Sequence, residues 1–277
     1  MVGDERRDVI GSDAVTVRLA SSIILLRDVC GGIETLLLER PANAAFVPGA
    51  LVFPGGKVNA SDGDVDAVAT RNISLDVWQR RLKMPTAAHT RAVLAAAIRE
   101  TYEETGVLLV CNEHGEPVDP DLARHDTFTK LRTVSDAHAA AAWQDVLTTQ
   151  HLMMDVDRIT LKSWWVTPTG YPRRYDTRFF LTVIPDGQTV DAAKGEVVSS
   201  LWLTPQQALD DAQAKTRHIV YPTRQNLADL TQYDTTALAY RAAQEAADQV
   251  RELRPTRVVI DGKVMAVHPD GGEPEDE

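Results

Sequence analysis

"RETYEETG", Arg99 to Gly106, sets three glutamates and one arginine on a short stretch of helical pattern. At about 100° per residue, Glu100, Glu103 and Glu104 fall within roughly a quarter-turn of one face. Like charges at three- and four-residue spacing weaken an isolated helix by about 0.2–0.5 kcal/mol per pair. Something has to offset that repulsion: solvent, a cationic side chain or a bound metal. A solvated face is the ordinary reason for such a cluster, so the surrounding sequence has to decide.

Upstream, Pro85 interrupts the chain, and Val93, Leu94, Ala97, Ile98 and Thr101 then follow a helical period. The pattern predicts a helix from about Ala87 to Thr105, stopped at Gly106. "VLLV" after it reads as a strand. Further towards the N-terminus, "LDVWQRRL" predicts a short helix and "ALVFPGG" a short strand stopped by Pro54 and Gly55-Gly56. "VTVRLASSIILLRD" and "IETLLLER" predict a hairpin about Gly31-Gly32. Downstream, residues 119–155 read as helical, with Ser135 as a candidate N-cap. Strands return at "ITLKSWWVTP", "RRYDTRFFLTVIP" and "VVSSLWL", and helices at about 204–215, 222–231 and 235–252. "TRVVIDGKVMAV" reads as a second hairpin about Asp261-Gly262. This order predicts one mixed α/β domain over 15–268, flanked by a flexible N-terminus (1–14) and a disordered acidic tail (269–277).

The 277-residue chain is 44% hydrophobic, which is ample for a core, and carries a net charge of −11. That balance argues against a general nucleic-acid or membrane binder, because phosphate neutralisation needs clustered Lys and Arg. Cys30 and Cys111 stand outside any CxxC or Cys/His cluster, so neither a zinc site nor a disulfide framework is expected. No apolar run reaches the ~18 residues of a membrane span, and "MVGDERRDVI" lacks a signal core. The expectation is a soluble cytoplasmic protein.

Two features convert the charge cluster into a candidate site. In "FPGG" (53–56), Pro54 fixes φ and the glycines allow a tight turn that exposes a backbone carbonyl near a ligand. Arg99 can hold one carboxylate in bidentate fashion while others face a metal. Mg²⁺ suits hard oxygen donors shared with substrate phosphates.

With "FPGG" upstream, "AAIRETYEETGVLL" resembles the Nudix hydrolase box: Gly, five residues, Glu, seven residues, Arg-Glu-apolar-x-Glu-Glu-x-Gly-apolar. Arg99, Glu100, Glu103, Glu104, Gly106 and Val107 match, and Thr101 replaces the usual larger apolar residue. Counting from Gly56, the first Glu of the box falls on Asp62, and about 29 extra residues separate Gly56 from Arg99. This split box, with "AFVPGALVFPGG", "RRYDTRFFL" and "GEVVSSLWLTPQQAL", is similar to the Nudix subgroup of peroxisomal-type coenzyme A diphosphatases. The resemblance covers about residues 16–231.

The resemblance implies an α/β/α sandwich around a mixed sheet, with a helical insertion (about 57–86) inside the box and helical additions at about 119–155 and 204–252. It implies Mg²⁺ or Mn²⁺ held by Glu100, Glu103, Glu104 and the Gly56 carbonyl, with Arg99 orienting Glu100. By position, Glu196, six residues before Trp202, takes the place of a distal catalytic acid; its other reading is a plain loop acid. Glu100 and Glu196 are then the candidate bases for a water attacking a diphosphate.

For the substrate, a nucleoside diphosphate derivative, Arg40, Arg173, Arg174 and Arg178 are candidate phosphate binders, against the alternative of a solvated strand edge. Tyr171, Tyr175, Trp164 and Trp165 are candidates for stacking on adenine or for the core. The subgroup resemblance implies coenzyme A or its acyl derivatives; a nucleotide sugar or dinucleotide is the alternative, and a non-catalytic ligand-binding module is the rival of another class. The segment 57–86 and the helices after 204 could cover the site or build a homodimer interface.

Overall fold

The computed structural model describes residues 7–8, 15–44, 47–192, 197–260 and 262–276. After a two-residue strand β1 (Arg7–Asp8), the two apolar runs form β2 (Val17–Val29) and β3 (Gly32–Glu39), paired antiparallel from Leu26↔Thr35 to Val29↔Gly32. Gly31 turns the chain at φ 89°, where a side chain would be strained. The chain then passes through β4 (Ala50–Val52), paired with β3, and crosses to β5 (Gly55–Lys57), paired with β2. Pro54, at the crossing, accepts from Ile23 N and Ser22 Oγ, both at 2.8 Å. The glycine turn is therefore pinned to the middle of β2.

Next come α1 (Leu75–Leu82), α2 (Ala87–Thr105), β6 (Val110–Asn112), α3 (Asp126–Thr129), α4 (Asp136–Thr149) and β7 (Leu152–Met154). They are followed by β8 (Thr160–Val166), β9 (Arg174–Val183), β10 (Ser199–Leu203), α5 (Pro205–Gln213), β11 (His218–Ile219), α6 (Tyr221–Leu230) and α7 (Thr236–Ala246). The chain closes with β12 (Glu252–Leu253), β13 (Thr256–Ile260), β14 (Lys263–Val267) and β15 (Glu275–Asp276).

The main sheet runs β11-β4-β3-β2-β9-β8-β12, with β5 on β2 and β10 on β3. Its spine is the parallel β2–β9 pair, Val17↔Arg174 through Leu26↔Val183. Strands covered on both faces read as unbroken apolar runs, and the two-residue alternation divides β2 between two cores. Ile23 and Leu25 join Trp78, Leu82, Val93 and Trp143 of α1, α2 and α4. Ile24 and Leu26 join Ala208, Leu227, Leu230 and Ala239 of α5, α6 and α7. The result is the expected three-layer α/β/α sandwich on a mixed sheet.

Four local expectations change. Of "VLLV", only Val110 enters a strand, β6, which pairs with β7. Val107, Leu108 and Leu109 are buried without a ladder, and the Gln188 side chain serves Leu108, its Oε1 accepting from Leu108 N and its Nε2 donating to Leu108 O, both at 2.8 Å. The helical reading of 119–155 stops short, because His151 takes φ 54° and turns the chain into β7. Ser135 stands at the N-cap of α4, but its Oγ meets His138 Nδ1 at 3.0 Å and makes no backbone cap bond. The ends are not wholly loose: Arg7–Asp8 pairs with Val258 and Val259 of β13, and Glu275–Asp276 pairs with β14, because the hairpin offers two open edges. The expected turn residue Asp261 lies outside the described residues.

Among the described residues, no helix is long and apolar enough to cross a membrane.

Candidate active site

Helix α2 carries the site because local signals fix both its ends. Thr86 Oγ1 accepts from His89 N at 3.2 Å at the start, and Gly106, at φ 71°, supplies the left-handed stop. Its alanines allow close approach to the sheet, where Ser21 Oγ of β2 donates to Val93 O at 2.8 Å. That contact sets the last turns of α2 beside β5. The three glutamates occupy those last turns with no basic residue among them, so the helix dipole adds to their mutual repulsion.

Part of the offset is Arg99, which is 1% exposed. Its Nε and Nη2 hold Asp62 in a fork at 2.9 and 3.1 Å. Its Nη1 lies 2.9 Å from both Glu100 Oε1 and Glu103 Oε2, and Nη2 also donates to Lys57 O at 3.3 Å. Burial works against this charge, but Glu100, Asp62 and Glu103 outweigh it and hold the guanidinium above its ordinary value. Asp62 is itself fixed, accepting from Asn59 N at 2.8 Å. The inserted segment thus folds back so that its acid braces the arginine of the box.

The three glutamates take different places. Any Cβ at Gly56 would stand 2.3 Å from Glu100 Oε2, so this carboxylate lies directly on the Gly56 backbone. Glu104 Oε2 accepts from Gly55 N at 2.8 Å. Glu103 turns the other way: besides Arg99, it accepts from Trp143 Nε1 of α4 at 3.3 Å. Burial pushes Glu100 above the usual carboxylate range despite Arg99, and pushes Glu103 up to about 7. Glu196, the expected distal acid, lies outside the described residues.

The glycine turn forms part of the wall of a cavity of about 500 Å³, which Ser21, Lys57, Phe53 and Thr177 also line. Arg40 and His218 also line this cavity. Arg173 is exposed in the bend before β9.

Arg174 and Arg178 go elsewhere. On β9 the cavity receives Tyr175, Thr177 and Phe179, so the even-numbered arginines face the opposite side. Arg178, 1% exposed, donates from Nη2 to Leu82 O at 2.9 Å, pairs with Asp176 and lies 3.7 Å over the Trp164 ring. Arg174, 4% exposed, donates from Nε to Thr167 O at 3.2 Å. Two of the four arginines assigned to substrate therefore hold the sheet together, and Trp164 belongs with them. The sequence reading left Asp62 without a partner and passed over Lys57 and His218. Only the box spacing, which sets Asp62 in the place of a glutamate, carried a signal.

A glutamate-bearing helix packed against a glycine turn, on a mixed sheet between helical layers, defines a Nudix domain. The chain belongs to the NUDT19 Nudix domain family, whose sequence profile matches residues 70–230. It is 30% identical over 212 residues to the acyl-coenzyme A diphosphatase NUDT19 of Xenopus laevis, a match covering 64% of this chain and 54% of that protein. Against the acyl-coenzyme A diphosphatase NUDT19 of Homo sapiens the identity is 27% over 222 residues, covering 66% and 56% respectively. The chain thus spans little more than half the length of these two relatives. Among solved structures, it superposes on a NUDIX hydrolase from Alicyclobacillus acidocaldarius with a TM-score of 0.62 and 26% identity, covering 82% of this chain and 97% of that one. The profile match begins after Gly56 and Asp62, so those two residues are tied to the site by the box spacing and by their contacts with Glu100 and Arg99.

Proposed function

We propose that this domain hydrolyses the diphosphate bond of a nucleoside diphosphate joined to another moiety, with coenzyme A or an acyl-coenzyme A as substrate and Mg²⁺ or Mn²⁺ as cofactor. The observation that carries this reading is the meeting of Glu100 and Glu104 with the Gly55-Gly56 backbone at the wall of the cavity. The substrate class follows the names of the frog and human relatives.

Among the described residues, no three His, Cys, Asp or Glu side chains already converge as a metal cluster. The reason is visible in Glu103, which is committed to Arg99 and Trp143. Glu100, Glu104 and the Gly56 carbonyl are the hard oxygen donors that fit a divalent cation, with Glu103 bracing Arg99 beside them. Bound there, a cation would neutralise diphosphate oxygens and make the attacking water more acidic. The chain supplies the rest. Arg99 positions Glu100, Lys57 brings a positive charge to the cavity, and Glu100 or Glu196 takes the proton from water.

The test is coenzyme A hydrolysis with Mg²⁺ or Mn²⁺, following 3′,5′-ADP by chromatography. Metal-dependent release is expected. Calorimetric binding of coenzyme A, with no release under either metal, would overturn the hydrolase reading in favour of a binding module; turnover of nucleotide sugars or dinucleotides alone would replace the substrate.

The two glycines of the turn separate stability from activity. In Gly55→Ala, φ of 151° and a Cβ 2.3 Å from Ser21 O strain the backbone itself. A loss of ~2 kcal/mol is expected, or roughly 4–8 °C in Tm. In Gly56→Ala the obstacle is the Glu100 carboxylate, which can move. Melting should then change little while turnover falls about a hundredfold, the scale on which a displaced catalytic group acts. Equal melting and equal activity for the two variants would refute this division.

A further inference from the structure

The cavity has chemically different regions. From β5 across β2 and β9 to β8 is three strand spacings, roughly 14 Å. At the β5 side stand Gly55, Gly56 and Lys57, beside the glutamates of α2. At the β8 side the lining is Trp165, Val166, Thr167 and Pro168, with Phe179 of β9, and no charged side chain stands among the lining residues there. Arg40 and His218 lie on the other flank, towards β3, β4 and β11.

Pro255 and Ala266 complete the β8 side. Ala266 lies on β14 of the C-terminal hairpin and Pro255 immediately before β13, both beyond residue 230, where the family match ends. This hairpin is docked firmly. Ala266 is 2% exposed and belongs to the same apolar cluster as Trp165 and Phe179. The ring of His268 meets Trp165 edge-on at 5.6 Å. Arg257 lies 4.4 Å over the ring of Tyr171, itself a lining residue. Glu275 accepts from Gln225 Nε2 of α6 at 2.8 Å and pairs with Arg224 at 3.5 Å.

An uncharged lobe about 14 Å from a carboxylate site fits the apolar arm of a ligand whose diphosphate lies at Gly55-Gly56. We infer that the hairpin β13–β14 is the specificity wall for that arm, and that the small side chain of Ala266 sets how bulky an arm is accepted. This rests on the diphosphatase reading for the placement of the diphosphate. The wall acts on selectivity; the carboxylates act on turnover.

The experiment compares coenzyme A with its dodecanoyl thioester in the 277-residue chain and in its Ala266→Leu variant. Binding is measured first by calorimetry without added metal, and kcat/KM is measured next with Mg²⁺. An apolar pocket discriminates about 10–200-fold per methylene-sized change, so Ala266→Leu should weaken dodecanoyl-coenzyme A at least tenfold while leaving coenzyme A within about threefold. Ala266→Val, which adds two methyl groups, should give the same ranking with a smaller effect and serves if the leucine variant does not fold. Parallel losses for both ligands, unchanged values for both, or a wild type that binds neither would overturn the wall. Selective binding that Ala266→Leu abolishes, without hydrolysis of either ligand by the wild type, would leave the wall standing and remove the hydrolase reading instead.

Discussion

Arg99→Met should lower the melting temperature by roughly 10 °C, the largest stability effect expected of any single substitution at this site. Removing one partner from a buried ionic cluster typically costs about 3–5 kcal/mol, because the charges left behind keep their desolvation cost and lose their compensation. At about 2–4 °C per kcal/mol for a chain of this size, that gives the stated shift. Arg99 is 1% exposed, and so is Asp62, the carboxylate it holds in a fork. Glu100 and Glu103 share its Nη1. The sign with pH follows from the same groups. Burial already raises Glu100 and Glu103 against the pull of Arg99, and losing that pull raises them further. A carboxyl raised in the folded state favours folding when protonated, so stability is lost as pH rises through its folded value. The deficit of the variant should therefore widen from pH 5 to pH 8. Arg99→Lys, which keeps the charge but not the fork, should fall between the two. A methionine variant that melts within 2 °C of wild type at pH 8 would show that the cluster does not depend on Arg99.

What the sequence disclosed and what it hid divide along a physical line. Helix α2 and the Gly31 turn were legible because their signals are local: a proline before the helix, a period of 3.6, and glycines with positive φ where the chain stops or reverses. The mixed α/β class followed from the order of strand and helix patterns, whereas the three layers came only with the resemblance to the Nudix family. The pairing of Asp62 with Arg99 spans 37 positions, and no local rule says where an inserted segment folds back. Arg174 and Arg178 were misread for a different reason. Alternation shows that they share a face, but which face meets the cavity is settled by the packing of α1 and by the Trp164 ring. The same holds for "VLLV", where the half-buried Gln188 side chain replaces a strand partner. The wall at Pro255 and Ala266 was hidden because a hairpin signal does not reveal where the hairpin docks.

The largest expected effect on activity belongs to Glu104→Gln. The substitution is nearly isosteric, and the amide oxygen can still accept from Gly55 N, the 2.8 Å contact that ties α2 to the glycine turn. Fold and turn should therefore survive, with melting in the absence of metal close to wild type. What is lost is one of the negative charges at the point where the donors best suited to a divalent cation meet. If that charge contributes ~3 kcal/mol to the transition state through the cation, turnover falls by roughly a hundredfold or more. A ligand that binds only the folded state raises the melting temperature as its concentration exceeds its Kd. Wild type should accordingly gain stability with added Mg²⁺, and Glu104→Gln should need much higher Mg²⁺ for the same gain. Glu103→Gln gives the contrast. Glu103 spends its oxygens on Arg99 and Trp143, so its amide should lower melting without metal and shift the Mg²⁺ response less. If instead Glu104→Gln kept wild-type turnover and the wild-type Mg²⁺ response, the carboxylate beside Gly55 would be a helix anchor only. The metal would then have to be sought among Glu100, Glu103 and Glu196.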